Sequence, residues 1–290
     1  MNIFLWIIVV ALLLEFFLYT LSRFLDLKHL STDLPEEFKG YYSQEEYARS
    51  QEYLKENTRF AYITSAFDLF IILLMIFLGV FNTIDLWVRG FEFSPIITGL
   101  LFFGILFFIQ DIIGTPFSLY RTFIIEEKFG FNKTKPKTYI MDKIKSYFLL
   151  IVLGGTILSL ILFFFESFGD FAWFYAWVVL SGFLVLIQPL FTLFIAPMFN
   201  TFTPLEDGEL KDRINDFAKK VHFPISRIDV MDGSRRSSKS NAYFSGLGKN
   251  KRIALFDTLI EKHSVDELLS IIAHEVGHYK KRHNIKGIVL

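Results

Sequence analysis

The chain has 290 residues, no net formal charge, 52% apolar residues, 36 Phe and no Cys, and its mean hydropathy is +0.41. Zero net charge excludes bulk electrostatic binding, so no nucleic-acid partner is expected. The lack of cysteine excludes a disulfide framework and thiolate metal sites, so any zinc site must use histidine and carboxylate.

Apolar runs recur at lengths that suit a bilayer, which needs about 20 residues per helix. They are Ile3–Leu21, Tyr62–Phe81, Ile96–Ile113, Tyr147–Phe165 and Phe171–Phe194. No cationic segment precedes the first run and no A-x-A-like site follows it, so it reads as a retained helix rather than a secretory leader. Backbone polar groups inside lipid must be satisfied within the segment, which makes all five runs helices. Glu15, Asp68, Gln110, Asp111 and Glu166 lie within or at the ends of these runs. Glu166 suits an interface position. Glu15 and Asp68 are deeper, and two readings stand for them, a hydrated interior or hydrogen bonding between helices.

The basic residues alternate from one connection to the next. Ser22–Phe60 carries six Lys or Arg, from Arg23 to Arg59, and Gly114–Ser146 carries seven, from Arg121 to Lys145. The connections at Asn82–Pro95 and Glu166–Asp170 offer only Arg89. This positive-inside pattern predicts an external N-terminus, two cytoplasmic linkers, and cytoplasm for everything after the fifth helix.

Composition changes near Asn200. Residues 204–223 place Leu210, Ile214, Phe217, Ala218 and Val221 at helical spacing opposite a charged face. Residues 226–232 read as a strand and 233–240 as a polar, basic loop. "NAYFSG" and "KRIALF" read as a hairpin around Gly246–Asn250. Ser264 with Glu267 three residues on is a capping-box signature that starts the final helix. The expected organisation is a membrane domain at 1–199, a small α/β domain at 200–283, and the first turns of another spanning helix at 284–290.

That final helix carries "HEVGH" at 274–278. One turn apart, His274 and His278 share a face and can converge on one ion. Glu275, rotated by about 100°, can reach a water activated by that ion without ligating it. This is the H-E-x-x-H logic of a zinc peptidase, with two ligands and one general base. Gly277 leaves the face between the ligands uncluttered. His283 stands about 180° around the helix from His274 and reads as a helix-end residue, while His222 and His263 read as surface or packing residues. A catalytic zinc usually has three protein ligands. Asn284–Leu290 hold no acid or further histidine, so the third ligand and at least one more helix are expected beyond Leu290.

With five spans followed by "EEKFGFNKT" (126–134), "SRRSSKSNAYFSG" (234–246), "RIALFDTLI" (252–260) and "HEVGHYKKRH" (274–283), the whole chain resembles the type I CAAX prenyl proteases, differing at Lys135, where a second Thr is expected after "FNKT". The resemblance implies a multi-pass, mainly α bundle of seven helices around a hollow chamber, capped by a gluzincin-type α/β domain. It implies one Zn2+ per chain on His274, His278 and a Glu from a later helix, with Glu275 catalytic. It makes Asn241, Ala242, Tyr243 and Phe244 the edge strand that takes substrate backbone, a use that suits an exposed strand. The implied substrates are prenylated CAAX C-termini of membrane-associated proteins, from which three residues are removed. The implied membrane is the endoplasmic reticulum in a eukaryote or the inner membrane in a prokaryote, and the lack of cysteine with compact linkers leans to the latter. The rival readings are a heat-shock-type quality-control metalloprotease, which carries fewer preceding helices, and a channel- or transporter-like protein with a structural histidine pair.

Overall fold

The computed structural model describes residues 2–245 and 251–281. The chain divides into two compact units, Met1–Gly130 and Phe131–Leu290. Among the described residues five helices are long and apolar enough to cross a membrane: Ile3–Lys28 (α1), Gln44–Phe77 (α2), Pro95–Lys128, Pro136–Ser167 and Gly169–Ile187.

In the first unit the helices outrun the apolar windows because their start signals lie outside them. α2 begins at a capping box between Ser43 and Glu46, far ahead of its apolar run. Pro95 opens the third spanning helix at its first turn, where its missing N–H costs nothing. The segment read as a plain connection contains a further helix, Val80–Arg89 (α3), before Pro95–Lys128 (α4). Ile84 and Val88, one turn apart, are buried, and Asp85 pairs with Arg89 about 100° round the helix at 2.8 Å. Ten residues are too few to register as a span, which is why hydropathy alone misses it. α4 contains Pro116 and a π-helical segment at Arg121–Ile125. Glu15, Asp68 and Gln110, three of the polar residues singled out in the runs, line one cavity of about 780 Å³ between α1, α2 and α4.

The second unit begins with the helices Pro136–Ser167 (α5) and Gly169–Ile187 (α6). It then builds a four-stranded sheet from Phe202–Pro204 (β1), Ile225–Met231 (β2), Ala242–Ser245 (β3) and Lys251–Phe256 (β4), in the order β1-β2-β4-β3. β2 and β4 are parallel, and β1 and β3 run antiparallel to their neighbours. β1 was not expected, since three residues ending in proline carry no strand signal of their own. It exists through its pairing of Phe202 with Met231. It also moves the helix start: Leu205 N–H donates to Ile228 O, and the helix runs Glu209–Lys220 (α7) rather than from 204. The hairpin turn at 246–250, His283 and 284–290 lie outside the described residues.

Asp257–Lys262 (α8) and Val265–Lys280 (α9) complete the unit. Ile214 and Ala218 of α7, Ile253 and Leu255 of β4, and Leu268, Ile272 and Val276 of α9 form the buried core. Asp229 is fully buried on β2 and is neutralised by two guanidinium groups, Arg227 at 2.6 Å and Arg252.

One arginine holds the loop before β3 in place. Arg236 grips Asp142 of α5 through Nε and Nη2 at 2.7 and 2.9 Å, and donates to Asn200 Oδ1 and Phe199 O at 2.8 and 2.6 Å. Its own carbonyl accepts from Lys133 N and Thr134 Oγ1 at 3.0 and 3.1 Å. Such a bidentate, mostly buried pair is costly to break from one side only. Arg236→Ala should destabilise this unit by about 2–3 kcal/mol, with partial recovery in Arg236→Lys. Thermal unfolding of the detergent-purified protein checks this, and a midpoint unchanged from wild type would contradict it.

Candidate active site

α9 starts where the sequence says it should. Ser264 Oγ accepts from Glu267 N at 3.4 Å, and the Glu267 carboxylate accepts from Ser264 N at 2.8 Å. These contacts from the Ser264 backbone and hydroxyl hold the Glu267 carboxyl below its usual range. The apolar stripe Leu268–Ile272–Val276 then fixes the rotation of the helix against the sheet. At about 100° per residue, His274 and His278 fall away from that stripe and Glu275 falls at its border.

The structure brings the two imidazoles together. Their Nε2 atoms are 3.0 Å apart and their ring centroids 4.7 Å. Two nitrogens held by one tetrahedral zinc at about 2.0–2.1 Å stand roughly 3.3 Å apart. The pair therefore fits an ion with a few tenths of an ångström of adjustment. Neutral imidazole is the right donor for such an ion, and the cysteine-free chain offers no softer ligand. Among the described residues no group of three or more His, Asp or Glu could hold a metal. His263 Nδ1 instead contacts Leu259 O at 3.0 Å at a helix end, and His222, with φ of 51°, follows the end of α7.

β3 is the edge strand of the sheet, with β4 on one side and no strand on the other among the described residues. Glu275 and the β3 residues Ala242, Tyr243 and Phe244 line one small crevice together with Ile253, Ile272 and Val276. The general-base candidate and the candidate substrate strand are thus neighbours. Side chains alternate along β3. Phe244 packs inward against Phe223 and Tyr279, with centroids 6.0 and 5.7 Å away. Tyr243 points to the other face, its hydroxyl 3.9 Å from Met231 Sδ. Burial pushes the Tyr243 phenol up, so it stays a neutral donor at physiological pH. Lys251 lies 4.6 Å from the Tyr279 ring, and burial lowers its ammonium below the usual range.

The approach to β3 is fixed residue by residue. Asn241 O accepts from Phe256 N at 3.0 Å, and Asn241 Oδ1 accepts from Ala242 N at 2.9 Å. Ser240 Oγ donates to Thr258 O and Thr258 Oγ1 to Lys239 O, each at 3.0 Å. Upstream stands Gly233, packed directly on the Phe256 ring. Sequence reasoning singled out the histidines, Glu275 and the strand as candidates. It missed Gly233 and Arg236, whose partners are far away in the chain.

Two family models match. Residues 23–201 match one described as CAAX prenyl protease N-terminal, five membrane helices, and residues 204–290 match peptidase family M48. CAAX prenyl protease 1 of Saccharomyces cerevisiae is 40% identical over 270 residues, which are 89% of this chain and 59% of that protein. The Dictyostelium discoideum homologue is 39% identical, over 91% of this chain and 63% of its own length. The chain thus spans about three fifths of these relatives. The crystal structure of S. mikatae Ste24p superposes with a TM-score of 0.93 at 36% identity, over all of this chain and 70% of that one.

The contact at Gly233 gives a test of how tightly the strand is held. A Cβ there would stand 2.5 Å from Phe256 Cδ2. Gly233→Ala should therefore force the ring or the loop to move and destabilise the fold by about 1–3 kcal/mol. Chemical denaturation should register the loss. A variant as stable as wild type would show that the loop before β3 is looser than the packing implies.

Proposed function

The chain belongs to the CAAX prenyl protease family of M48 peptidases, and on that premise we propose that it is a zinc-dependent membrane metalloendopeptidase. The observation that carries this is the pair of Nε2 atoms 3.0 Å apart on α9, with Glu275 in the crevice shared with β3. His274 and His278 would hold the zinc, one ion per chain, with a Glu outside the described residues as third ligand. When bound, zinc polarises the scissile carbonyl and lowers the pKa of water. Glu275 takes the proton of the attacking water and passes it to the leaving amide nitrogen. Asn241, Ala242, Tyr243 and Phe244 receive the substrate backbone as an added strand, which aligns the scissile bond beside Glu275. The substrates are prenylated or membrane-associated proteins processed near a CAAX C-terminus, and no nucleic acid is bound.

We further propose that residues 1–199 form the membrane domain and 200–283 the catalytic domain on the cytoplasmic face. The membrane is the endoplasmic reticulum in a eukaryotic host and the inner membrane in a prokaryotic one. The linker charges support this orientation, since Ser22–Phe60 and Gly114–Ser146 are the basic connections. Reporter fusions at Lys55 and Lys137 should read cytoplasmic and one at Gly90 the opposite side. A cytoplasmic reading at Gly90 would contradict the topology.

The general-base assignment has its own test. Glu275→Gln should keep zinc bound while lowering cleavage of a farnesylated CAAX peptide by about 10²–10⁴-fold. His278→Ala should lose both metal and cleavage. Loss of zinc in Glu275→Gln would make Glu275 a ligand and overturn its role.

A further inference from the structure

A second cavity lies in the first unit. It has a volume of about 540 Å³, and Arg23 of α1 and Arg121 of α4 both line it, with Asn57 and Thr58 of α2 between them. No carboxylate is among its lining residues. Arg23 stacks over the Tyr19 ring at 5.3 Å, and neither arginine makes an ion pair among the described residues. Glu56 of α2 is engaged by Lys128 and Glu126 by the Tyr53 hydroxyl, and Asp26, three residues after Arg23, forms no ion pair with it among the described residues.

The dipole of a helix end does not explain this convergence. It acts within the last turn. Arg23 stands five residues before the end of α1 at Lys28, and Arg121 stands seven before the end of α4 at Lys128. Instead Arg121 opens the π-helical segment, an irregularity that turns the following residues out of helical register and is frequent at functional sites. Thr58 supplies the independent observation. It is 1% exposed, lines the cavity, and its Oγ1 is buried without a hydrogen-bond partner among the described residues. A buried hydroxyl left unpaired costs free energy that a ligand oxygen would recover.

We propose that this cavity binds the phosphate-bearing headgroup of an anionic phospholipid. Two guanidinium forks match phosphate oxygens, and the Thr58 hydroxyl adds a donor or acceptor between them. The level is that of lipid headgroups. Arg23 lies two residues beyond the apolar run Ile3–Leu21, and Thr58 four residues before the run that starts at Tyr62. Phe60 and Phe117 also wall the cavity and suit the upper part of an acyl chain rather than a free ion. Basic pockets between membrane helices hold headgroups in this way.

The test uses the purified protein in nanodiscs of phosphatidylcholine with a minor fraction of phosphatidylserine. Native mass spectrometry reads the lipid retained after extraction. Wild type should retain phosphatidylserine roughly tenfold over its share, as two cations near the headgroups predict. Arg23→Gln/Arg121→Gln should lose that enrichment. Thr58→Leu should lose it too, because it fills the cavity while leaving every charge in place. Enrichment unchanged in either variant would overturn the site. Abolition of the enrichment by millimolar inorganic phosphate would assign the pocket to a soluble ligand and overturn the lipid. Photoactivatable phosphatidylserine needs no variant: labelling should fall on residues 54–61 and 117–121, and labelling confined elsewhere would equally overturn the proposal.

Discussion

The site depends on one packing constraint, the burial of Leu268, Ile272 and Val276 against Ile253 and Leu255. Each of these three α9 residues is at most 4% exposed. Fully burying such a side chain is worth roughly 1.5–3 kcal/mol, so the helix has one favourable rotation. That rotation turns His274 and His278 outward together and brings Glu275 to the crevice beside β3. A helix rolled by one residue would bury a histidine and strand the carboxylate. The capping box at Ser264 fixes the start of α9, and the pairing of β3 with β4 fixes the surface on which it rests.

A second set of contacts decides where β3 lies. The loop ahead of it is tied to α5 and to the chain after α6 through Arg236, Asp142 and Asn200. It is tied to α8 as well, where Asp257 accepts from Ser234 N at 2.8 Å. The edge strand is therefore a continuation of a braced loop, not a free flap. Under the proposed role, in which β3 holds an extended peptide beside Glu275, such bracing serves the positioning that accounts for a large part of catalysis.

Much of this was legible in the sequence, for local reasons. The spans follow from run length, the start of α9 from Ser264 and Glu267, and the shared face of His274 and His278 from helical spacing. β3 and β4 follow from alternating, β-prone runs, but nothing local says that β3 takes the edge. That came from resemblance to a family. What stayed hidden was nonlocal or short. Arg236 finds Asp142 across 94 positions, β1 exists only through β2, and α3 is shorter than any hydropathy window. In the first unit the polar residues stand singly along the chain, and only the fold gathers them. Glu15, Asp68 and Gln110 meet on one cavity, and Arg23 and Arg121 meet on another, with Tyr19 lining both.

The central claim is that His274 and His278 are the two protein ligands that α9 supplies to a catalytic zinc. Anomalous diffraction at the zinc edge, from crystals of the purified protein grown with zinc, tests it most directly. The account predicts one peak about 2.0–2.1 Å from both Nε2 atoms, on the side of α9 that Glu275 borders. A zinc peak elsewhere, or none on this pair in zinc-loaded crystals, would contradict it.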